Sequence, residues 1–187
     1  VTEHRRLAPG KYRLQLEDYE RLAEAGAFTG HRTELIEGDV IVMSPQFRPH
    51  GFVKDELAYR LRMALEQTNL PWSVATEVSV ALTADSEPQP DIVLTNEPRG
   101  DGPIPLPSVV LVIEVSDTTL DRDTGAKQRL YATAGILEYW VADVNGRVIH
   151  QMWAPQGDGY ADRREIGFGE AVVSTVLDGL RIETAGL

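Results

Sequence analysis

Apolar positions along the chain fall into short blocks whose period switches from helical to extended and back. Leu14, Leu16, Tyr19 and Leu22 recur at roughly helical spacing and Gly26 follows them, which predicts a first helix ending at that glycine. Glu34–Glu37 and Val40–Met43 are strand-like runs about Gly38-Asp39, a pair suited to a tight turn, so a hairpin is expected. From His50 to Leu70, Val53, Leu57, Leu61, Ala64 and Leu65 share one face, with Lys54, Arg60 and Glu66 off it. That is the pattern of a long amphipathic helix. Ser73 to Leu82 alternates in the manner of a strand, and Glu77 within it points either to a cleft or to water.

Pro88-Gln89-Pro90 interrupts the chain before Asp91-Ile-Val-Leu94, a short apolar strand that opens with an acid. Asn96 to Pro107 is rich in Gly and Pro and reads as a mobile loop. Val109–Ile113 is apolar at consecutive positions, which implies a central strand buried on both faces, ending in Glu114. A further helix is expected from about Arg122 to Ala134, bringing Lys127, Leu130 and Tyr131 together and stopping at Gly135. Glu138–Ala142 and Val148–Trp153 read as strands joined through Asn145-Gly146. Gly157 to Gly169 reads as a loop, and Val172–Val176 and Leu180–Ile182 either close the sheet or extend from it. The alternation of elements predicts an α/β (α+β) fold built on a central sheet. The length of 187 residues, with no repeat or linker, predicts one domain over residues 1–187.

Composition narrows the setting. Cysteine is absent, which excludes disulfides and thiolate zinc sites and points to a reducing cytoplasm. Val1 to Gly10 is polar and basic, unlike a signal peptide, and the apolar run Val109–Ile113 is too short to cross a bilayer, so no membrane association is expected. A formal net charge of -11 argues against non-specific coating of nucleic acid, which depends on displacing counterions with Lys and Arg. Any nucleic-acid contact must be local.

The chemistry-bearing residues are Asp91 and Glu114, acids at the ends of neighbouring apolar strands. A carboxylate in such a place is costly unless its charge is compensated, and a divalent cation does so well. Magnesium in particular takes oxygen ligands, often one or two carboxylates with water and phosphate. The same two acids could equally cap loops or pair with arginine. Their spacing leaves both readings standing.

The surrounding text carries a resemblance. Pro90-Asp91 followed by Glu114-Val115-Ser116 looks like the PD-(D/E)XK nuclease signature. Read in order, Glu34-Leu-Ile-Glu-Gly38, Met43-Ser-Pro45, His50, Pro90-Asp91, Glu114-Val-Ser116, Asp121, Lys127, Tyr131, Ala134-Gly-Ile-Leu-Glu-Tyr-Trp140 and Asp143 resemble the Uma family (Uma-two) of restriction-endonuclease-like proteins. The resemblance implies a restriction-endonuclease-like core, with a mixed central sheet flanked by helices, and magnesium- or manganese-dependent cleavage of phosphodiester bonds. It also implies an acidic cluster of Glu34, Asp91 and Glu114 as metal ligands, with Lys127 as the basic partner. Ser116 stands where the short motif has its lysine. Lys127, on the following helix, is the lysine that the family pattern supplies instead.

The remaining candidates divide by setting. Glu34, heading a hairpin strand, is a third ligand or a solvated acid. His50 either hydrogen-bonds at a helix terminus or contacts phosphate as an acid or base. Tyr131, Tyr139 and Trp140 read as core. Arg48, Lys54, Arg122, Lys127 and Arg129 are the cations expected near the cleft. The preferred function is a nuclease acting on DNA. One alternative is a catalytically silent binding or assembly module of the same fold, acting as a homodimer; another is a two-carboxylate hydrolase needing no metal.

Overall fold

The computed structural model describes residues 10–187; the polar opening segment weighed against a signal peptide lies almost wholly outside the described residues. The first helix, α1 (Leu16–Glu24), buries Tyr19, whose hydroxyl donates to the Thr33 carbonyl. Strands β1 (Thr33–Ile36) and β2 (Asp39–Val42) form the expected hairpin, one residue out of the expected register. Its turn is Glu37-Gly38, both at positive φ, and Asp39 already pairs with Ile36. Positive φ at both central residues suits the twist of a two-residue hairpin. Gly38 has a second reason to be glycine, since a Cβ there would lie 2.7 Å from the Arg13 Cβ.

Helix α2 (Arg48–Thr68) buries Val53, Leu57, Leu61, Ala64 and Leu65 as the periodicity requires, and Asn69 in the left-handed conformation ends it. Lys54 departs from the expected pattern. It is buried as well, because its ammonium meets Gln46 Oε1 at 2.9 Å and Glu77 Oε1 at 2.7 Å. The strand predicted over Ser73–Leu82 divides at Glu77, whose φ of 55° breaks the extension. This leaves β3 (Ser73–Thr76) and β4 (Val80–Ala81). Next come β5 (Ile92–Thr95) and β6 (Ile104–Pro105), which pairs with β4 inside the stretch expected to be a loop.

β7 (Val109–Ser116) is buried throughout, and it runs two residues beyond Glu114 instead of ending there. The predicted helix over Arg122–Ala134 is composite: α3 (Leu120–Arg122), a π turn (Asp123–Lys127) and α4 (Gln128–Thr133). β8 (Glu138–Asp143) and β9 (Val148–Gln156) follow as expected. The stretch read as a loop from Gly157 is instead β10 (Gly159–Gly167), returning along β9. Only Ile166 of β10 is buried, and its exposed Asp162, Arg163, Arg164 and Glu165 are the charges of an edge strand, which hydrophobic periodicity misses. β11 (Ala171–Val173) and β12 (Arg181–Glu183) neither close nor extend the main sheet but pair with each other.

The main sheet has the order β10-β9-β8-β7-β5-β3, with β7 and β8 parallel and the other neighbours antiparallel. Alternate residues face opposite layers. Ile92, Leu94, Leu111, Ile113 and Trp140 pack with α2 and with Val172, Leu180 and Ile182. Val93, Val112, Tyr139, Val141 and Met152 pack with Leu130, Tyr131 and Ile136. Among the described residues, no helix is long and apolar enough to cross a membrane.

The β11–β12 unit is held by an acid. Glu138 has no solvent exposure and accepts hydrogen bonds from Trp140 Nε1, Gln151 Nε2, Ser174 Oγ and the backbone N–H groups of Thr175 and Val176. Its partners are all neutral donors, so its removal strands a group of polar atoms at once. Glu138→Ala should lower the unfolding free energy by ~3 kcal/mol, read as a reduced urea midpoint. A midpoint equal to that of the wild type would show that the acid does not anchor this segment.

Candidate active site

The β5–β7 register places the two acids. Ile92 pairs with Ile113 in an antiparallel ladder, so one step further Asp91 stands across from Glu114 despite their distance in sequence. Both belong to the face that carries Val93 and Val112, which is covered by α4. The backbone N–H of Val115 closes the junction by donating to Asp91 Oδ2 at 2.8 Å. Asp91 Oδ1 accepts from Gln46 Nε2 at 2.9 Å and meets His50 Nε2 at 3.0 Å. Gln46 is in turn held by Lys54, so a chain of contacts runs from Glu77 through Lys54 and Gln46 to Asp91.

Glu114 faces the helical segment. Lys127 Nζ donates to its Oε1 at 2.8 Å and Tyr131 Oη donates to the same atom at 2.7 Å. Both donors reach one oxygen, which leaves Oε2 without a donor among the described residues. Asp123, Lys127 and Tyr131 recur at every fourth position, and all three are buried on the side turned to the sheet. The π turn carries the first and second of these residues in phase; a bulge of this kind is a frequent device at functional sites. Asp123 accepts from Thr119 Oγ1.

Glu34 arrives from β1, outside the main sheet. It is buried, with Lys127 Nζ 3.6 Å from Oε2, Arg122 Nη1 3.8 Å from Oε1 and the Gln89 N–H 3.3 Å from Oε2. It stands among cations and does not line the cleft. A cavity of ≈ 240 Å³ opens over the remaining residues, lined by Gln46, His50, Asp91, Glu114, Thr119, Arg122, Asp123 and Lys127. Among the described residues, no group of three or more acidic or histidine side chains is arranged to hold an ion by itself.

Burial dominates the electrostatics. It pushes the Glu114 carboxyl up to about 8; the Lys127 ammonium opposes this, while Asp91 and Asp123 add to it. Asp123 is raised by burial too, against the Thr119 hydrogen bond and Lys127. Burial works against the Lys127 charge, but Glu114 and Glu34 outweigh it and hold the ammonium above its ordinary value. Burial and then Glu114 raise Tyr131 well above the usual phenol range, so its hydroxyl is a donor at neutral pH.

Of the residues expected at the site, Asp91, Glu114, Lys127 and His50 share the cleft, and Glu34 sits behind Lys127. Tyr131 is core, as expected, while also holding Glu114. Tyr139 and Trp140 are buried core residues. Of the five expected cations, Arg122 and Lys127 line the cleft, Lys54 lies buried beneath it, Arg48 is exposed and outside the cleft lining, and Arg129 lines a separate cavity with Arg13. Sequence reasoning missed Asp123 and Gln46. Asp123 carried a usable signal, since it lies one helical turn before Lys127.

The structure is similar to a crystal structure described as "a putative nuclease belonging to DUF820" from Anabaena variabilis ATCC 29413, with a TM-score of 0.66 and 16% sequence identity over 89% of this chain and 91% of that one. The chain belongs to the Uma2 family, described as "Putative restriction endonuclease", whose model matches residues 16–185. No curated protein matches it.

A pH prediction follows from Glu114. Its folded-state value of about 8 lies above the ordinary 4.5, so between these values the folded state binds more protons than the unfolded one. Stability of the metal-free protein should therefore fall as pH rises through that window, and Asp123 contributes in the same sense. Urea melts in EDTA at both ends of the window should show a shallower fall for Glu114→Gln than for the wild type. Parallel pH profiles would remove Glu114 as the cause.

Proposed function

We propose that this cleft is the active centre of a nuclease that uses magnesium or manganese to hydrolyse phosphodiester bonds in DNA, in a single domain working in the cytoplasm. One observation carries the reading: strand register sets two buried carboxylates side by side in an open cleft, with a buried lysine against one of them. The donor set suits such an ion. Both acids offer hard oxygen atoms, Glu114 keeps Oε2 free of protein donors, and burial, which makes the Glu114 charge costly, is a cost that a bound cation would offset. Two carboxylates in place of a closed cage leave room for water and substrate phosphate.

Asp91 and Glu114 would hold the ion. When bound, it would supply positive charge to the scissile phosphate and lower the pKa of water beside it. Lys127 keeps its ammonium at the cleft floor, where it orients the attacking water and offsets charge developing on the phosphate. Glu34 assists by fixing Lys127 and Arg122 from behind. His50 and Gln46 set the orientation of the Asp91 carboxylate, and Tyr131 does the same for Glu114. Arg122, partly exposed in the cleft, offers a contact for phosphate.

Ligands and positioning cations fail differently. Manganese should raise the melting temperature of the wild type, and Glu114→Gln should lose both that shift and cleavage of plasmid and single-stranded DNA alike. Lys127→Met should leave the metal-free protein less stable, since two buried acids lose their cation, yet it should retain the manganese shift. Its turnover should fall by roughly 100-fold. Full activity in Lys127→Met would reduce the lysine to a structural partner of Glu34 and Glu114. If wild-type protein cuts no DNA or RNA and shows no manganese shift, the silent-module alternative takes over.

A further inference from the structure

We propose that the rim of this cleft is a base-stacking surface with Phe47 as its platform, and that the substrate strand held there is unpaired. The proposal rests on the nuclease reading of the cleft and names the kind of strand it takes. The end of β2 contributes Val42, and its connection to α2 contributes Met43, Pro45 and Phe47, to the cavity that Asp91 and Glu114 line. Phe47 is 69% exposed and Val42 59% exposed, so two large apolar side chains stand in water at the edge of an acidic cleft. Nothing in the packing of the core requires either one there. The backbone of Phe47 is fixed at the N-cap of α2, where its carbonyl accepts the Gly51 N–H, in a first turn that contains no acid.

Charge decides what this rim can bind. The cleft carries Asp91, Glu114, Asp117 and Asp123, and its cations are Arg122 and Lys127, the latter engaged by Glu114 and Glu34. With a net charge of -11 behind it, phosphate neutralisation contributes little affinity. A duplex presents phosphates outward and hides its base faces, so it would bring charge to the acids and leave Phe47 unused. An unpaired strand can turn a base onto the phenyl ring, and stacking of this kind tolerates any sequence because every base has a π face. Arg48, the next residue along, is exposed and gives the strand's phosphates a cation within reach of the rim. Unpaired bases are common to single-stranded DNA and RNA, so both belong in the test.

The test uses the full chain in EDTA and fluorescence anisotropy with four short labelled probes: single-stranded DNA, the matching RNA, the DNA duplex, and a single strand lacking its bases. At least one intact single strand should bind about tenfold tighter than the duplex and the baseless strand. Whichever sugar wins identifies the strand. Phe47→Ala should weaken that binding by about tenfold and Phe47→Trp should restore it. Equal binding of the baseless and intact strands, equal binding of the duplex, no measurable binding of either single strand, or an unaffected Phe47→Ala would each overturn the proposal. So would a change in oligomeric mass in Phe47→Ala, which would assign the rim to a second copy of the chain. Cleavage with manganese reads the parent hypothesis separately. Cutting by a protein whose strand binding ignores Phe47 sinks the platform and spares the nuclease, whereas the expected binding pattern without any cutting does the reverse.

Discussion

Two carboxylates cannot stand next to each other in a protein interior unless something holds their charge, and in this molecule the β5–β7 ladder forces that situation. The apolar residues of both strands are needed to build the core, so their register is fixed by which side chains must face α2 and which must face α4. Asp91 and Glu114 are then adjacent whether or not the protein gains stability from it. The neighbouring structure is organised around that cost. The Val115 amide, Gln46 and His50 are spent on Asp91, while Lys127 and Tyr131 are spent on Glu114. Glu34 keeps Lys127 charged from its other side. Such an expensive cluster is a frequent mark of a functional site.

The cluster also explains the least regular helical segment. A continuous α-helix over Leu120–Thr133 would change the angular relation between Asp123 and Lys127, and the π turn between them keeps both buried against the sheet. The segment carries its own short-range device, since Thr119 meets Asp123 and the Tyr139 hydroxyl donates to the Asp123 carbonyl. At the other end of β8, Glu138 shows a different solution to the same physical problem. There a buried carboxylate is satisfied wholly by neutral donors and carries the β11–β12 unit, with no link to the cleft. Buried acid alone is therefore not diagnostic; the company it keeps separates a structural anchor from a candidate ligand.

The sequence was most legible where one physical demand acted alone. The apolar runs around Asp91 and Glu114 exposed the acid pair, and the helical spacing from Val53 to Leu65 exposed α2. Where two demands competed, the pattern misled. Lys54 looks solvated because it is charged, yet Glu77 and Gln46 draw it inside. β10 looks like a loop because an edge strand has no apolar face to advertise along most of its length. Glu138 opens a strand as many solvated acids do, and its donors come from residues far along the chain. Family resemblance supplied what periodicity could not, namely that Lys127, thirteen residues after Glu114, belongs with it.

The central claim is that Asp91 and Glu114 hold a divalent cation in the cleft. The most direct measurement is a crystal soaked in manganese, with diffraction data collected at the manganese absorption edge. The account predicts one anomalous peak within bonding distance of an Asp91 and a Glu114 oxygen, absent from crystals of Glu114→Gln. A well-diffracting wild-type crystal with no peak there, or with manganese bound only elsewhere, would contradict it.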